Sequence, residues 1–184
     1  MKPVVLIMDM AKGYGDAATW GHDLIAQVQR LKDVAHTVGV PVIHVHSMRR
    51  PTDNLPQPSR FPMMVGTEDL EVLPELQPID HDIIIYKRYL SGFSHNDLDY
   101  TLRTIGCDMV IIAGGSTDNA VLWTAADAFQ NRYQVVVLKD CTMVHRPTEP
   151  SEVHEYALRI VRNVLRSEVL TLDEVLPKYL AIGS

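Results

Sequence analysis

Residues 109–121 read MVIIAGGSTDNAV. Met109 to Ala113 is a short continuous apolar run, the pattern of a strand buried on both faces. Gly114 and Gly115 break it, and an amphipathic stretch runs from Ser116 to about Arg132. A strand, a tight glycine turn and a helix start form the repeating unit of a parallel sheet covered by helices. Such a turn also gathers free backbone N–H groups and the positive end of a helix dipole at one point. That point suits a nucleophile and the oxyanion it creates. The residue standing there, Ala120, has only a methyl group.

The same alternation extends in both directions. Pro3 to Asp9 (PVVLIMD) is an apolar run ending in an acid. Trp20 to Val38 reads as a helix, with Leu24, Ile25, Val28, Leu31, Ala35 and Val38 on one face and Gly39 at its end. Val40 to His46 is a second strand and Ile83 to Lys87 a third. Asn96 or Asp97 caps a short helix through Ile105, which Gly106 stops. Gln134 to Leu138 is a fifth strand, with Asp140 after it. Ser151 to Leu165 is helical, its buried face marked by Val153, Tyr156, Ala157, Ile160, Val161 and Val164. A sixth strand near Val169 to Thr171 leads into helical turns around Asp173 to Leu180. The predicted fold is therefore one α/β domain over residues 1–184. It is a Rossmann-like, three-layer α/β/α arrangement with a mainly parallel six-stranded sheet.

Residues 47–66 stand apart. Pro51, Pro56, Pro58 and Pro62 fall here with Asn54, Ser59 and Gly66. A loop of this length in a small domain is unusual and often functional. It reads as a lid or specificity loop, with a plain surface excursion or subunit contact as the alternative.

Composition narrows the function classes. The 184 residues are 46% apolar and 22% charged, with a formal net charge of -6. No basic cluster exists to track phosphates, so nucleic acid is not an expected partner. No apolar run is long enough for a membrane span and no signal peptide is evident, so the cytoplasm is expected. Cys107 and Cys141 are expected to be reduced, and their spacing fits no zinc pattern.

Ligands on parallel sheets bind outside the carboxyl ends of the strands. Asp9, Lys87 and the Gly114–Ala120 turn all fall at such ends. An acid there can act as general base, and a lysine can tune it electrostatically. With a thiol at position 120 the set would be complete for acyl transfer. Taken singly, each residue has a plainer reading. Asp9 could cap a turn, and Lys87 could be a solvated strand-end lysine.

Four blocks carry a family resemblance. They are Leu6-Ile7-Met8-Asp9-Met10; Gly66-Thr67 with Leu76-Gln77-Pro78; Lys87-Arg88-Tyr89-Leu90-Ser91-Gly92-Phe93 with Leu98 and Leu102; and Gly114 to Val121 with Thr124 and Asp127-Ala128. In order and spacing, over roughly residues 3 to 142, the chain resembles the isochorismatase-like cysteine hydrolases. These include nicotinamidase, N-carbamoylsarcosine amidase, biuret hydrolase, ureidoacrylate amidohydrolase and isochorismatase. The resemblance implies a catalytic triad of Asp9, Lys87 and a cysteine at the position held by Ala120. It implies a cis peptide at Gly115–Ser116 and an oxyanion hole formed by the Ser116 and Ala120 N–H groups. The implied reaction is hydrolysis of a small amide or ureido C–N bond, without a cofactor, by a homodimer or homotetramer.

Alanine at 120 leaves three readings open. The chain is a cysteine hydrolase whose nucleophile has been replaced, and which then binds substrate without turnover. Alternatively it is an isochorismatase-type vinyl-ether hydrolase that needs no thiol, or a noncatalytic small-molecule-binding pseudoenzyme. The Thr117-Asp118 pair is closer to the amidase branch.

Among the remaining candidates, Tyr14 sits five residues past the aspartate, where family members tend to place a pocket aromatic. Trp20, Phe61 and Trp123 could also line the pocket. Arg60, or Arg49 and Arg50, could hold a substrate carboxylate. Asn119 precedes the nucleophile position and could face the substrate. His44 and His46 share one face of the second strand. They read as partly buried, hydrogen-bonded histidines, and no metal is expected.

Overall fold

The apolar runs become the strands of one sheet. In the computed structural model, which describes residues 1–53, 60–145 and 150–181, the strands are β1 (Pro3–Met8), β2 (Val42–Ser47), β3 (Ile83–Lys87), β4 (Met109–Gly115), β5 (Gln134–Met143) and β6 (Glu168–Leu170). Their order is β3-β2-β1-β4-β5-β6, and every neighbouring pair is parallel. The helices are α1 (Ala17–Trp20), α2 (His22–Thr37), α3 (Leu98–Thr104), α4 (Leu122–Gln130), α5 (Pro150–Asn163) and α6 (Leu172–Tyr179).

Strand periodicity explains the three layers. Val5 and Ile7 of β1 pack in the cluster that holds Ile25, Val28, Leu31 and Ala35 of α2 and Leu172 and Val175 of α6. Val4, Leu6 and Met8 pack on the opposite face with Leu98 and Leu102 of α3, Ala125 and Ala128 of α4, and Leu158 and Val161 of α5. Successive side chains point to opposite faces, so each central strand feeds both cores.

The topology also fixes where a ligand can sit. The chain leaves β1 toward β2 and β3, then returns to build β4, β5 and β6 on the other side. The crevice at such a reversal, here between the carboxyl ends of β1 and β4, is the binding place of open parallel sheets. β4 runs alongside β1 in a register that pairs Met8 with Gly114. A Cβ on Gly114 would lie 2.2 Å from the Met8 carbonyl oxygen, and the residue has φ +98°. Only glycine meets both demands.

Three expectations need correction. The stretch after Ser116 does not begin as an α-helix. Residues Thr117–Val121 form a wider turn, with the Val121 N–H donating to the Ser116 carbonyl at 3.2 Å, and α4 starts at Leu122. β5 does not stop at Leu138 but continues to Met143, so Asp140 and Cys141 lie within it. The Asp140 carboxylate accepts from the Leu172 N–H at 2.9 and 3.1 Å, satisfying the start of α6. On α5, Ala157, Leu158 and Val161 are buried, but Tyr156 is 66% exposed, and Val164, just past the helix end, is 68% exposed. The apolar arc of that helix is wider than the face its neighbours cover.

Residues 54–59, including Asn54, Pro56, Pro58 and Ser59 of the expected lid, lie outside the described residues. The two arms of that loop meet: the Arg49 N–H donates to the Met63 carbonyl at 2.9 Å, and the Val65 N–H to the Arg49 carbonyl at 2.8 Å. No helix among the described residues is long and apolar enough to cross a membrane.

Candidate active site

Asp9 is the first residue beyond β1, in a left-handed conformation with φ 54°. Its N–H donates to the Val45 carbonyl at 2.9 Å, which holds it against β2. Lys87 ends β3, where the register pairs it with Ser47 of β2. Three adjacent strands thus deliver an acid, a hydroxyl and an ammonium to one edge. The Lys87 Nζ lies 2.9 Å from the Asp9 Oδ2, with the side chains 2% and 6% exposed.

A buried ion pair is tolerable only if its remaining hydrogen-bonding groups are satisfied. Here they are. Lys87 also donates to the Ser47 hydroxyl at 2.9 Å and to the Tyr89 carbonyl at 3.2 Å. An ammonium has three hydrogens, so it is saturated. The Ser47 N–H donates to Asp9 Oδ1 at 3.0 Å. Ser47 was not singled out in the sequence. Its signal was its place as the polar residue closing an otherwise apolar and histidine-bearing strand.

Tyr14 reaches the same cluster from the single turn Lys12–Tyr14. Burial, and then the neighbouring Asp9 charge, push its phenol well above the usual range, with the Ser47 hydroxyl and Arg49 pulling the other way. A protonated phenol beside the carboxylate is a hydrogen-bond donor to it. The Tyr14 ring packs on Phe61, centroids 4.8 Å apart.

The turn at 116–120 leaves the carboxyl end of β4, the strand beside β1. The Gly115–Ser116 peptide is cis. Ala120 is 2% exposed and belongs to the apolar cluster that includes Met8, Ile85 and Leu98. Three contacts pin the turn. The Ser116 hydroxyl donates to Asp118 at 2.5 Å and accepts the His145 N–H at 3.1 Å. The Thr117 hydroxyl meets Nδ1 of His154, on α5, at 2.9 Å. Behind it, Thr124 of α4 accepts the Gly92 N–H at 2.8 Å, tying the lysine block to the helix that follows the turn. The Asn119 side-chain oxygen is buried with no hydrogen-bond partner.

Arg60 lies at the rim. Its guanidinium sits 5.4 Å from the centre of the Phe61 ring, and its Nη1 is 3.5 Å from the His145 carbonyl. Trp20 is buried beneath Gly115, with its Cζ3 2.8 Å from where a Cβ would stand. Its ring meets that of His145 edge-on at 4.0 Å. His145 is a second residue the sequence reading missed, because it follows β5 in a stretch expected to be loop. Burial and then Arg60 lower its pKa to about 4, so it is neutral. Trp123, in contrast, is 51% exposed.

The paired histidines differ from expectation. His44 and His46 are fully buried, and none of their ring nitrogens has a hydrogen-bond partner. The nearest acid to His44 is Asp82, at 3.7 Å. Burial drives His44 down to about 4 and His46 to about 3, so both are neutral.

Comparisons with known proteins agree with this architecture. The family model described as the isochorismatase domain matches residues 3–174. The chain belongs to the isochorismatase family. The uncharacterized isochorismatase family protein YaaI of Bacillus subtilis is 29% identical over 108 residues, which is 59% of this chain and 58% of that protein. The maleamate amidohydrolase of Pseudomonas putida is 25% identical over 165 residues, covering 83% of this chain and 77% of that protein. Among solved structures, an isochorismatase-like hydrolase from Alkaliphilus metalliredigens superposes with a TM-score of 0.83 at 27% identity, covering 97% of this chain and 99% of that one. Relatives of this chain thus include an amidohydrolase, and its fold is that of an isochorismatase-like hydrolase.

Proposed function

We propose that this chain is a hydrolase of small amide or ureido C–N bonds built around a Cys-Asp-Lys triad, with Ala120 in the place of the cysteine. The observation that carries the reading is the buried 2.9 Å contact between Asp9 and Lys87 at the carboxyl ends of β1 and β3, with the Ser116–Ala120 turn leaving β4 next to β1. The amidohydrolase relative supports the choice of bond.

With a thiol at 120, Asp9 takes its proton and the thiolate attacks the substrate carbonyl carbon. The Ser116 and Ala120 N–H groups hold the resulting oxyanion. Asp9 returns the proton to the departing nitrogen, and ammonia or an amine leaves. Asp9 then draws a proton from water, which attacks the thioester, expels the thiolate and completes the hydrolysis. Lys87 orients Asp9 and tunes it electrostatically. With alanine at 120 the first covalent step has no nucleophile. The chain then binds substrate and turns it over negligibly.

The test is Ala120→Cys, assayed by ammonia release over a panel of small amides and carbamoyl compounds. Activity that appears with the cysteine and disappears in Ala120→Cys/Asp9→Asn supports the triad. A folded Ala120→Cys protein inactive on the whole panel counts against it. The alanine itself favours a second reading, a vinyl-ether hydrolase in which an acid protonates the substrate and water attacks. That enzyme would be active with Ala120 in place.

A further inference from the structure

α5 buries a stripe of side chains at helical spacing, with Ala157, Leu158 and Val161 as its apolar members. One turn earlier the same stripe is occupied by His154, which is half-buried. A polar residue at the head of a buried stripe calls for a partner. α5 packs on the wide turn at 117–121, and Nδ1 of His154 meets the Thr117 hydroxyl at 2.9 Å. Thr117 is itself only 1% exposed.

The turn needs holding from outside. β4 and β5 keep a regular register as far as Ile112 and Val137, but Gly114 then faces Thr142 rather than Lys139. β5 therefore bulges between these pairs, and the regular ladder is interrupted just before the Gly114–Gly115 end of β4. Inside the turn, the Asn119 and Val121 N–H groups donate to the Ser116 carbonyl at 3.0 and 3.2 Å. These bonds close the loop on itself without tying it to a neighbour. Two ties come from residues on either side of the β5–α5 connection: the His145 N–H to the Ser116 hydroxyl at 3.1 Å, and His154 to Thr117. His145 gives only its backbone, which any residue but proline can supply. His154 uses its ring, so this tie is specific to the side chain.

Burial lowers the pKa of His154, against Glu155 and the Lys139 main chain, so the ring is neutral at pH 7. A neutral imidazole and a hydroxyl can each donate or accept, so the bond between them forms in either tautomer. We infer that His154 is a positioning residue, which through Thr117 fixes the turn whose Ser116 and Ala120 N–H groups are proposed to hold the oxyanion. Its effect on rate rests on the amide-hydrolase reading; its effect on the turn does not. An oxyanion site works through donors fixed before the charge develops. Loosening the turn therefore lowers kcat and leaves KM little changed.

The test has two arms. Amide hydrogen exchange at Asn119 and Val121 is followed by NMR on the chain as it stands, and turnover by ammonia release on Ala120→Cys. His154→Leu removes the ring nitrogens, and Thr117→Val removes the hydroxyl from the other side of the same bond. Each should speed exchange of the two turn amides about tenfold and leave the β1 amides unchanged. Each should lower kcat about tenfold with KM little changed. The double variant should lose no more than either single one, since both cut one bond. His154→Asn, whose side-chain amide places a polar atom near the position of Nδ1, should recover most of both effects. If His154→Leu does not fold, Thr117→Val carries both arms. Unchanged turn exchange overturns the inference. So does an unchanged kcat in an active Ala120→Cys background, additive losses in the double variant, or a loss that His154→Asn does not recover. Faster turn exchange with no ammonia from Ala120→Cys would keep the tie and remove the hydrolase reading. Active Ala120→Cys with the turn indifferent to His154 would do the reverse.

Discussion

Lys87 has three ammonium hydrogens and three acceptors, on Asp9, Ser47 and Tyr89. That saturation decides what its removal does. In Lys87→Met the Asp9 carboxylate, on a side chain only 6% exposed, remains in place without its counter-charge. Breaking one half of a buried pair costs about 3–5 kcal/mol, mainly through the charge left behind. Replacing both partners removes that charge. We therefore expect urea denaturation to show Lys87→Met destabilised by that order, and Asp9→Asn/Lys87→Met to recover part of the loss. Wild-type stability in Lys87→Met would mean that water or a neighbour reaches Asp9, and the pair would not be the sealed unit described here. The alanine at 120 bears on the same residues. Asp9 and Lys87 are ion-paired and hydrogen-bonded with only a methyl group at residue 120, the proposed nucleophile position, so the proposed machinery does not depend on a sulfur there to stay assembled.

At the scale of elements, the turn between β4 and the wide turn at 117–121 makes the sharpest demand on sequence. Gly114 has a positive φ and the Met8 backbone where its Cβ would be, while Gly66 has φ +82° and nothing within 4 Å of its Cβ site. Gly66→Ala therefore tests backbone strain alone, about 1–3 kcal/mol. Gly114→Ala adds a clash with the central strand that no rotamer can relieve. Thermal melts should show Gly114→Ala clearly the worse of the two; equal melting temperatures would remove the close-approach argument. The comparison also shows what the chain discloses before folding. Continuous apolar runs such as VVLIM and MVIIA mark buried parallel strands, because both faces must be apolar; β1, β4 and the first half of β5 were legible for that reason, whereas the polar Lys139–Met143 end of β5 was not. Asp9, Lys87 and the 114–120 turn were legible because strand ends in such sheets converge. Ser47 and His145 were not, because each acts through a backbone register or a ring contact that has no local pattern. The exposed side of α5 misled for a related reason: periodicity reports an apolar arc, and the neighbouring elements decide how much of it is covered.

The whole molecule carries a consequence of its buried imidazoles. His44 and His46 of β2 are buried without a hydrogen bond to any ring nitrogen, with Asp82 3.7 Å from His44, and burial lowers them to about 4 and about 3. In the unfolded chain a histidine titrates near 6.5. Between these values the unfolded state binds protons that the folded state refuses, so stability rises with pH across that window. The contribution is fully present above about 6.5 and is lost as pH falls toward the folded-state values. Each histidine gives a slope of about 1.4 kcal/mol per pH unit. His145, lowered to about 4 by burial and Arg60, acts in the same direction. Ordinary carboxylates, with pKa values near 4, remain ionised above pH 5 and add little there. Melting temperature should therefore fall steeply from pH 7 to pH 5. His46→Leu, which removes one titrating group, should flatten the dependence by roughly one histidine's share even if its stability at pH 7 changes. A profile that stays level between pH 7 and 5 would mean that these side chains are protonated or hydrated inside the fold. The account of His44 and His46 as buried neutral imidazoles would then be wrong.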